Sequence, residues 1–155
     1  MIKQYPFPDK TSDQVTVFRI TNAKGEFVDI LDYGAAVYKL CVKNKNGGLT
    51  DVVLGYNSAE GYNNRTTFYG ALIGRVTNRI SGASFSFGGK TYPLSDTGGG
   101  VSLHGGDIGF NKKIFALIED ECSGNSITLG LVSEDGDQQA LYIHEIQGKE
   151  QGRYR

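Results

Sequence analysis

Glycine is the feature that most constrains this chain, because 22 of its 155 residues are glycine, about twice the usual share of roughly 7%. The glycines separate short runs of Val, Ile, Leu, Tyr and Phe, and many of them stand at positions that suit tight turns. Only 3 prolines occur, so the composition is not of low complexity. The pattern predicts an all-β domain of many short strands joined by tight turns.

The first third of the chain has the pattern of adjacent antiparallel strands. Val15–Ile20 and Phe27–Leu31 are extended runs on either side of a glycine-containing turn, which predicts a hairpin. Val37–Val42 is expected to form the next strand, and Asp51–Tyr56 is expected to follow it after an Asn- and Gly-rich turn. This spacing predicts a β-meander.

A further hairpin is predicted in the middle of the chain. Ala83–Phe87 and Lys90–Leu94 are short alternating runs on either side of a Gly-Gly turn. Because side chains alternate between the two faces of a strand, Phe85, Phe87 and Tyr92 are expected to face one core.

Two connections and a last strand pair complete the expected all-β pattern. The segments 61–78 and 95–109 sustain neither a strand period nor a helix period, so both are expected to be ordered loops, the second rich in glycine. Ile114–Asp120 and Ser126–Val132 are predicted to pair as strands around a turn.

Charge and composition disfavour several classes of function. Charged residues make up 21% of the chain and the formal net charge is -1, so we expect neither nucleic acid nor a membrane surface as a partner. The first residues lack the apolar core of a secretory signal and no apolar run is long enough to span a bilayer, so the expected location is cytoplasmic. Cys41 and Cys122 lack CxxC spacing and are expected to be reduced structural thiols.

Two segments combine glycines with side chains that can hydrogen-bond a polyol. In Gly74–Ile80 (GRVTNRI), the Asn78 amide both donates and accepts, and it adjoins the rigid fork of donors on Arg79. In 102–106 (SLHGG), His104 precedes two glycines, which allow a ligand to approach the backbone closely. From the residues alone two interpretations stay open: these side chains bind a ligand, or they have no function. Most arginines are solvated surface groups, and a loop histidine can simply cap a turn.

Several motifs follow one another in the region 68–115: G-R-x-x-N-R-I, the hairpin G-K-x-Y-x-L, L-H-G-G and G-F-x-K. With D-Y-G-A at 32–35 and D-V-V-L-G-Y at 51–56, they resemble the aldose 1-epimerase (galactose mutarotase) family over roughly residues 14 to 137. Several independent motifs in the order of the family indicate that family far more specifically than a single motif does. The resemblance implies the N-terminal portion of a mutarotase-like antiparallel β-sandwich, a supersandwich that is incomplete here.

The resemblance also implies a site and a reaction. In the family the Asn-Arg pair and the L-H-G-G histidine contact the sugar, so Asn78, Arg79 and His104 are the expected substrate-binding residues. The implied activity is isomerisation of aldohexoses such as galactose or glucose between α and β anomers in carbohydrate metabolism, with no cofactor and no metal. A carboxylate removes the anomeric hydroxyl proton while a histidine protonates the ring oxygen, and the ring opens.

The end of the chain departs from the family pattern. The family's acid histidine, base glutamate and a substrate-binding aspartate lie in later segments, and His144 does not stand in a matching setting, so no catalytic residue is assigned. After 135–137 the family continues with G-Y-P-G, whereas Gln-Gln-Ala-Leu follows here. We therefore expect a truncated chain whose reading frame slipped near this point. The domain is expected at 1–137, followed by a divergent tail at 138–155 that is frayed or weakly helical.

Other interpretations stay open beside the epimerase. One is a hexose-binding module without catalysis, and another is an inactive β-sandwich fragment. A third is a relative that epimerises hexose 6-phosphates, for which Arg65 and Arg75 are the available basic residues. Sheet edges that further strands should cover are expected to be exposed and to favour self-association.

Overall fold

The computed structural model describes residues 2–8, 15–63, 67–134 and 136–137, and the backbone of 152–153. The strands are β1 (Lys3–Pro6), β2 (Thr16–Thr21), β3 (Phe27–Leu31), β4 (Val37–Lys43), β5 (Leu49–Asp51), β6 (Arg79–Ser81), β7 (Ser84–Phe87), β8 (Lys90–Pro93), β9 (Val101–Leu103), β10 (Ala116–Leu117), β11 (Leu129–Leu131) and β12 (Gly152–Arg153). The named helical elements are α1 (Ala59–Tyr62) and the 3-10 turns Phe110–Lys112 and Glu119–Glu121. The predicted all-β class is confirmed.

The largest sheet is a five-stranded antiparallel meander in which β1 to β5 lie side by side in chain order. Two of its turns are organised by asparagine side chains. Asn22 Oδ1 accepts two backbone N–H groups in the β2–β3 turn, and Asn44 Oδ1 accepts two in the β4–β5 turn. The predicted meander is confirmed, and β1 is an edge strand that the sequence did not reveal.

The meander has buried apolar side chains on both faces, because side chains alternate between the two faces of a strand. Val17 and Leu31 are cross-strand partners in one cluster, which also contains Phe7, Val15, Ala36, Tyr38 and Tyr62. The neighbouring Phe18 packs in a second cluster with Phe110, Phe115 and Leu129. The second cluster joins the meander to the later segments that carry the predicted site.

The strand predicted at Asp51–Tyr56 is wrong beyond its first residue, because β5 ends at Asp51. The carboxylate of Asp51 accepts hydrogen bonds from the backbone N–H groups of Leu40 and Val53, at 3.1 and 3.3 Å. A side chain that takes up ladder donors in this way competes with strand pairing. The chain therefore leaves the sheet, and Leu54 is 72% exposed.

The β7–β8 hairpin is confirmed, but its predicted core-facing side is only partly correct. Phe85 and Tyr92 are cross-strand partners whose rings stack with centroids 5.2 Å apart. Phe87 is 53% exposed, so its assignment to a core is wrong. It lies next to the Gly-Gly turn, at the end of a two-stranded ribbon.

The two predicted loops contain regular secondary structure that was not predicted. α1 overlaps the start of 61–78, and 95–109 contains β9, which pairs with β6. The last strand pair is confirmed in its antiparallel pairing, but β10 and β11 have only two and three residues.

The C-terminal tail is described only in part. Residues 138–151 lie outside the described residues, so the predicted domain boundary at 137 stays a prediction. The backbone of β12 pairs with β11, and this short strand was not predicted.

Candidate functional site

β6 and β9 bring the two predicted ligand segments side by side. Arg79 is the antiparallel partner of Leu103, and Ser81 is the partner of Val101. Asn78 and His104 continue this pairing by one residue, because the His104 N–H donates to the Asn78 carbonyl oxygen at 3.0 Å. The structure thus brings the three predicted site residues together from segments that are far apart in the chain.

A second contact between the segments determines which ring nitrogen of the neutral His104 imidazole carries the proton. The backbone N–H of Asn78 donates to Nδ1 of His104 at 3.0 Å. A neutral imidazole that accepts at Nδ1 carries its proton on Nε2. The half-buried His104 therefore offers a hydrogen-bond donor at Nε2.

The arginine and the asparagine also contact each other. Arg79 Nη1 donates to Asn78 Oδ1 at 3.1 Å, and both residues are exposed. This bond does not use the Nδ2 group of Asn78 or the other N–H groups of Arg79, which are hydrogen-bond donors. Together with Nε2 of His104 they form a surface of hydrogen-bond donors, which we call the donor wall (Asn78, Arg79 and His104).

Two residues of the donor wall have left-handed backbone conformations. Asn78 has a φ of 68° and His104 a φ of 54°. Residues other than glycine adopt such angles rarely, although asparagine and histidine tolerate them better than most. Such conformations persist where several surrounding contacts hold the residue in place, and residues of this kind cluster at ligand sites. Here the reciprocal bonds between Asn78 and His104 provide those contacts.

Gly105 allows the two segments to approach closely. Its φ is +90°, and a Cβ at this position would lie 1.8 Å from the carbonyl oxygen of Gly74. The same carbonyl oxygen accepts the N–H of Phe110 at 3.2 Å. The L-H-G-G segment therefore rests directly on the backbone of the G-R-x-x-N-R-I segment.

Phe68 is a neighbour of the donor wall that sequence reasoning missed. Its ring lies edge-on to the His104 imidazole, with centroids 4.7 Å apart and planes at 69°. It also lines a cleft beside His104 together with Leu103, Gly106 and Asp107. A single phenylalanine carries no chemical signature in a sequence, and its position at the start of the motif region was the only available signal.

Arg75 is engaged at the other end of the same segment. Its Nε donates to Ser133 Oγ at 3.1 Å, and its Nη2 donates to the Glu134 carbonyl oxygen. Ser133 Oγ donates to Asp137 at 2.6 Å, and Lys113 pairs with the same carboxylate. Burial alone raises the pKa of Asp137, but the bonds from Lys113 and Ser133 outweigh it and leave the pKa below its ordinary value. These contacts connect Ser133, Glu134 and Asp137 to Arg75 and Lys113.

Two donors of Arg75 are thus engaged within the chain and Arg65 lies outside the described residues, so the expectation that they are available to a sugar phosphate stays a prediction. Among the described residues, no group of three or more His, Cys, Asp or Glu is placed to hold a metal ion. Cys41 and Cys122 are both free thiols. A search of the described helices finds none with the length and apolarity needed to cross a membrane.

Comparison with known proteins gives the family. The sequence model of aldose 1-epimerases matches residues 16–149. The chain belongs to the aldose 1-epimerase family. Galactose mutarotase of Bos taurus is 39% identical over 111 residues, which cover 72% of this chain and 32% of that protein. Aldose 1-epimerase of Escherichia coli K12 is 30% identical over 138 residues, which cover 89% of this chain and 39% of that protein.

Solved structures agree with this assignment. An aldose epimerase homologue from C. elegans matches with a TM-score of 0.72 at 28% identity, over 79% of this chain and 37% of that one. Galactose 1-epimerase from Lactobacillus acidophilus matches in fold with a TM-score of 0.70 at 23% identity, over 90% of this chain and 40% of that one. The predicted mutarotase-like antiparallel β fold is confirmed. The chain spans 32% to 39% of the length of the curated relatives it matches.

Proposed function

We propose that this member of the aldose 1-epimerase family binds an aldohexose on the donor wall and takes part in interconverting its α and β anomers. The observation that carries the proposal is the convergence of Asn78, Arg79 and His104: Asn78 bonds to its neighbour Arg79 and, where β6 pairs with β9, to His104. The names of the relatives, galactose mutarotase and aldose 1-epimerase, support an aldohexose as the ligand.

The chemistry of the donor wall suits the oxygens of a sugar. Hydroxyl and ring oxygens accept hydrogen bonds, and the wall presents an imidazole N–H, an amide NH₂ and guanidinium N–H groups. The planar guanidinium of Arg79 can donate to two neighbouring oxygens at once. Several fixed donors around one ring hold the sugar in a single orientation, which is what positioning contributes to catalysis.

The donor wall binds the sugar but does not transfer its protons. Ring opening needs a base at the anomeric hydroxyl and an acid at the ring oxygen. The guanidinium of Arg79 has no acceptor atom and the amide of Asn78 is not basic, so neither residue can remove a proton. We propose that the acid and base come from residues outside the wall, which agrees with the family resemblance, where they belong to later segments.

Removing the guanidinium is expected to weaken hexose binding. Arg79→Ala loses charge-assisted hydrogen bonds, so the Kd for galactose should rise about tenfold to a hundredfold. Saturation-transfer NMR with galactose measures this. Lys90→Ala, which removes an exposed cation from the β8 strand, is the matched control and should bind as the parent does. Undiminished transfer to Arg79→Ala would contradict the proposed wall.

Polarimetry separates the epimerase from a binding module. Because the family resemblance matches no residue of this chain to the acid or the base, we expect mutarotation of fresh α-galactose to relax in the presence of this chain at the rate of buffer alone. A clearly faster relaxation would show that the chain contains its own proton-transfer pair. Galactose binding without faster mutarotation is the result expected if the donor wall binds the sugar but transfers no protons.

Three earlier expectations stay proposals beside this one. Self-association through sheet edges is supported by exposed apolar side chains at Leu49, Val52 and Leu54, in and just after edge strand β5. A cytoplasmic location rests on the sequence alone. A hexose 6-phosphate epimerase is the weaker alternative, because the Arg75 guanidinium contacts Ser133 and Glu134.

A further inference from the structure

We infer that Phe68 is a positioning residue of the sugar site, which holds the His104 imidazole so that Nε2–H points toward the ligand. The inference rests on the proposed function and deepens it, because it concerns how one donor of the wall is oriented. Its basis is the edge-on contact between the two rings, whose centroids are 4.7 Å apart.

The imidazole needs more than one restraint. The hydrogen bond from the Asn78 amide to Nδ1 anchors one edge of the ring, but the ring can still tilt about that bond. Phe68 packs against the ring with planes at 69°, an arrangement that aromatic pairs prefer. Tilting the imidazole would lose this contact. The two restraints together therefore determine the direction of Nε2.

Phe68 is itself held by the sheet. It begins a turn in which the Ala71 N–H donates to the Phe68 carbonyl oxygen at 3.2 Å. The turn docks on β4, because the Val37 N–H donates to the Gly70 carbonyl oxygen at 2.9 Å. A Cβ on Gly70 would lie 2.2 Å from the Val37 carbonyl oxygen, so the two backbones are in direct contact. The meander thus positions the Phe68 ring next to His104.

A purely structural role for Phe68 makes a different prediction. If the ring only filled space, its loss would lower stability and leave the imidazole bound to the Asn78 amide as before. If the ring positions the imidazole, its loss loosens that hydrogen bond and weakens sugar binding together. The Asn78 amide, which lies on an exposed residue, reports on the bond directly.

The test uses a background with one imidazole. The chain has two histidines, so His144→Gln leaves His104 as the source of every imidazole signal. In this background Phe68→Ala is expected to speed hydrogen exchange of the Asn78 amide about tenfold. It is also expected to raise the galactose Kd about three- to tenfold. Long-range ¹H–¹⁵N spectra should show the imidazole nitrogens shifting toward values for free histidine.

Two further variants complete the design. Phe68→Tyr keeps the ring and should restore the parent exchange rate and Kd. Phe87→Ala removes an exposed phenylalanine from the β7–β8 hairpin and should change neither. If Phe68→Ala does not fold, Phe68→Leu takes its place, since it keeps most of the volume without the ring.

The outcomes separate the two proposals. Unchanged Asn78 exchange and unchanged imidazole spectra in a folded Phe68 variant would overturn the positioning role. Absence of galactose binding by the parent would overturn the proposed function, while the exchange and imidazole measurements still decide the role of Phe68. Loosened exchange with restoration in Phe68→Tyr supports the positioning of the His104 imidazole by Phe68 in either case, and its role in the sugar site when the parent also binds galactose.

Discussion

Replacing Gly105 with alanine is expected to destabilise the protein by ~4 kcal/mol or more and to abolish galactose binding. The added Cβ would lie 1.8 Å from the Gly74 carbonyl oxygen, 2.5 Å from its carbon and 2.9 Å from the Arg75 nitrogen. All three are backbone atoms, so no side chain can rotate away to relieve the overlap. The segments carrying Asn78 and His104 must therefore separate, and the donor wall is lost.

Gly99→Ala is the matched control for this prediction. Gly99 also has a left-handed φ, +71°, but nothing lies within 4 Å of an added Cβ. Its replacement is expected to cost only the conformational strain, ~1–2 kcal/mol. Urea unfolding followed by circular dichroism measures both variants, and saturation-transfer NMR measures their galactose binding. Equal stability of the two variants would show that the close approach at Gly105 is not needed.

Replacing Arg19 with methionine is expected to cost ~3–5 kcal/mol, because it leaves a buried carboxylate without its counterion. Asp29 is fully buried, and it accepts from Nε and Nη2 of Arg19 at 2.7 Å and from the Tyr5 hydroxyl at 2.6 Å. The guanidinium also lies 3.7 Å from the centroid of the Phe27 ring. The hydrogen bond to Asp29 raises the pKa of Arg19 despite partial burial, so the guanidinium keeps its charge at every working pH.

Two variants show whether the lost stability comes from the unpaired charge. Tyr5→Phe removes one hydrogen bond to the carboxylate and should cost less, ~1.5–3 kcal/mol. The double variant Arg19→Met with Asp29→Leu removes both charges and should regain much of the stability lost in Arg19→Met. Urea unfolding midpoints measure all three. A double variant no more stable than Arg19→Met would contradict the assignment of the loss to the buried carboxylate.

Local patterns predicted the strands well where the pairing partners are close in the chain. β2, β3 and β4 fall within a residue of their predicted bounds, and the β7–β8 hairpin forms around its Gly-Gly turn. Such elements are determined by alternation and by turn residues, which are both visible in a short window. The ordered motifs gave the family for the same reason, since each motif is itself a local pattern.

Elements that depend on distant partners were missed. β9 is only three residues long and follows three glycines, so no alternation marks it, and it exists because β6 pairs with it. The predicted strand at 51–56 ended early because the Asp51 side chain takes up donors of its neighbours. In both cases a contact outside the local window decides the conformation.

The sequence by itself determined the strand-and-turn character of this protein, its family, and which side chains are suited to a sugar. Only the tertiary structure decided that Asn78, Arg79 and His104 form one wall, that Nδ1 of His104 is occupied, and that Phe68 lies against the imidazole. The physical reason is that residue type determines what a group can bond, whereas the pairing of β6 with β9 determines which groups meet.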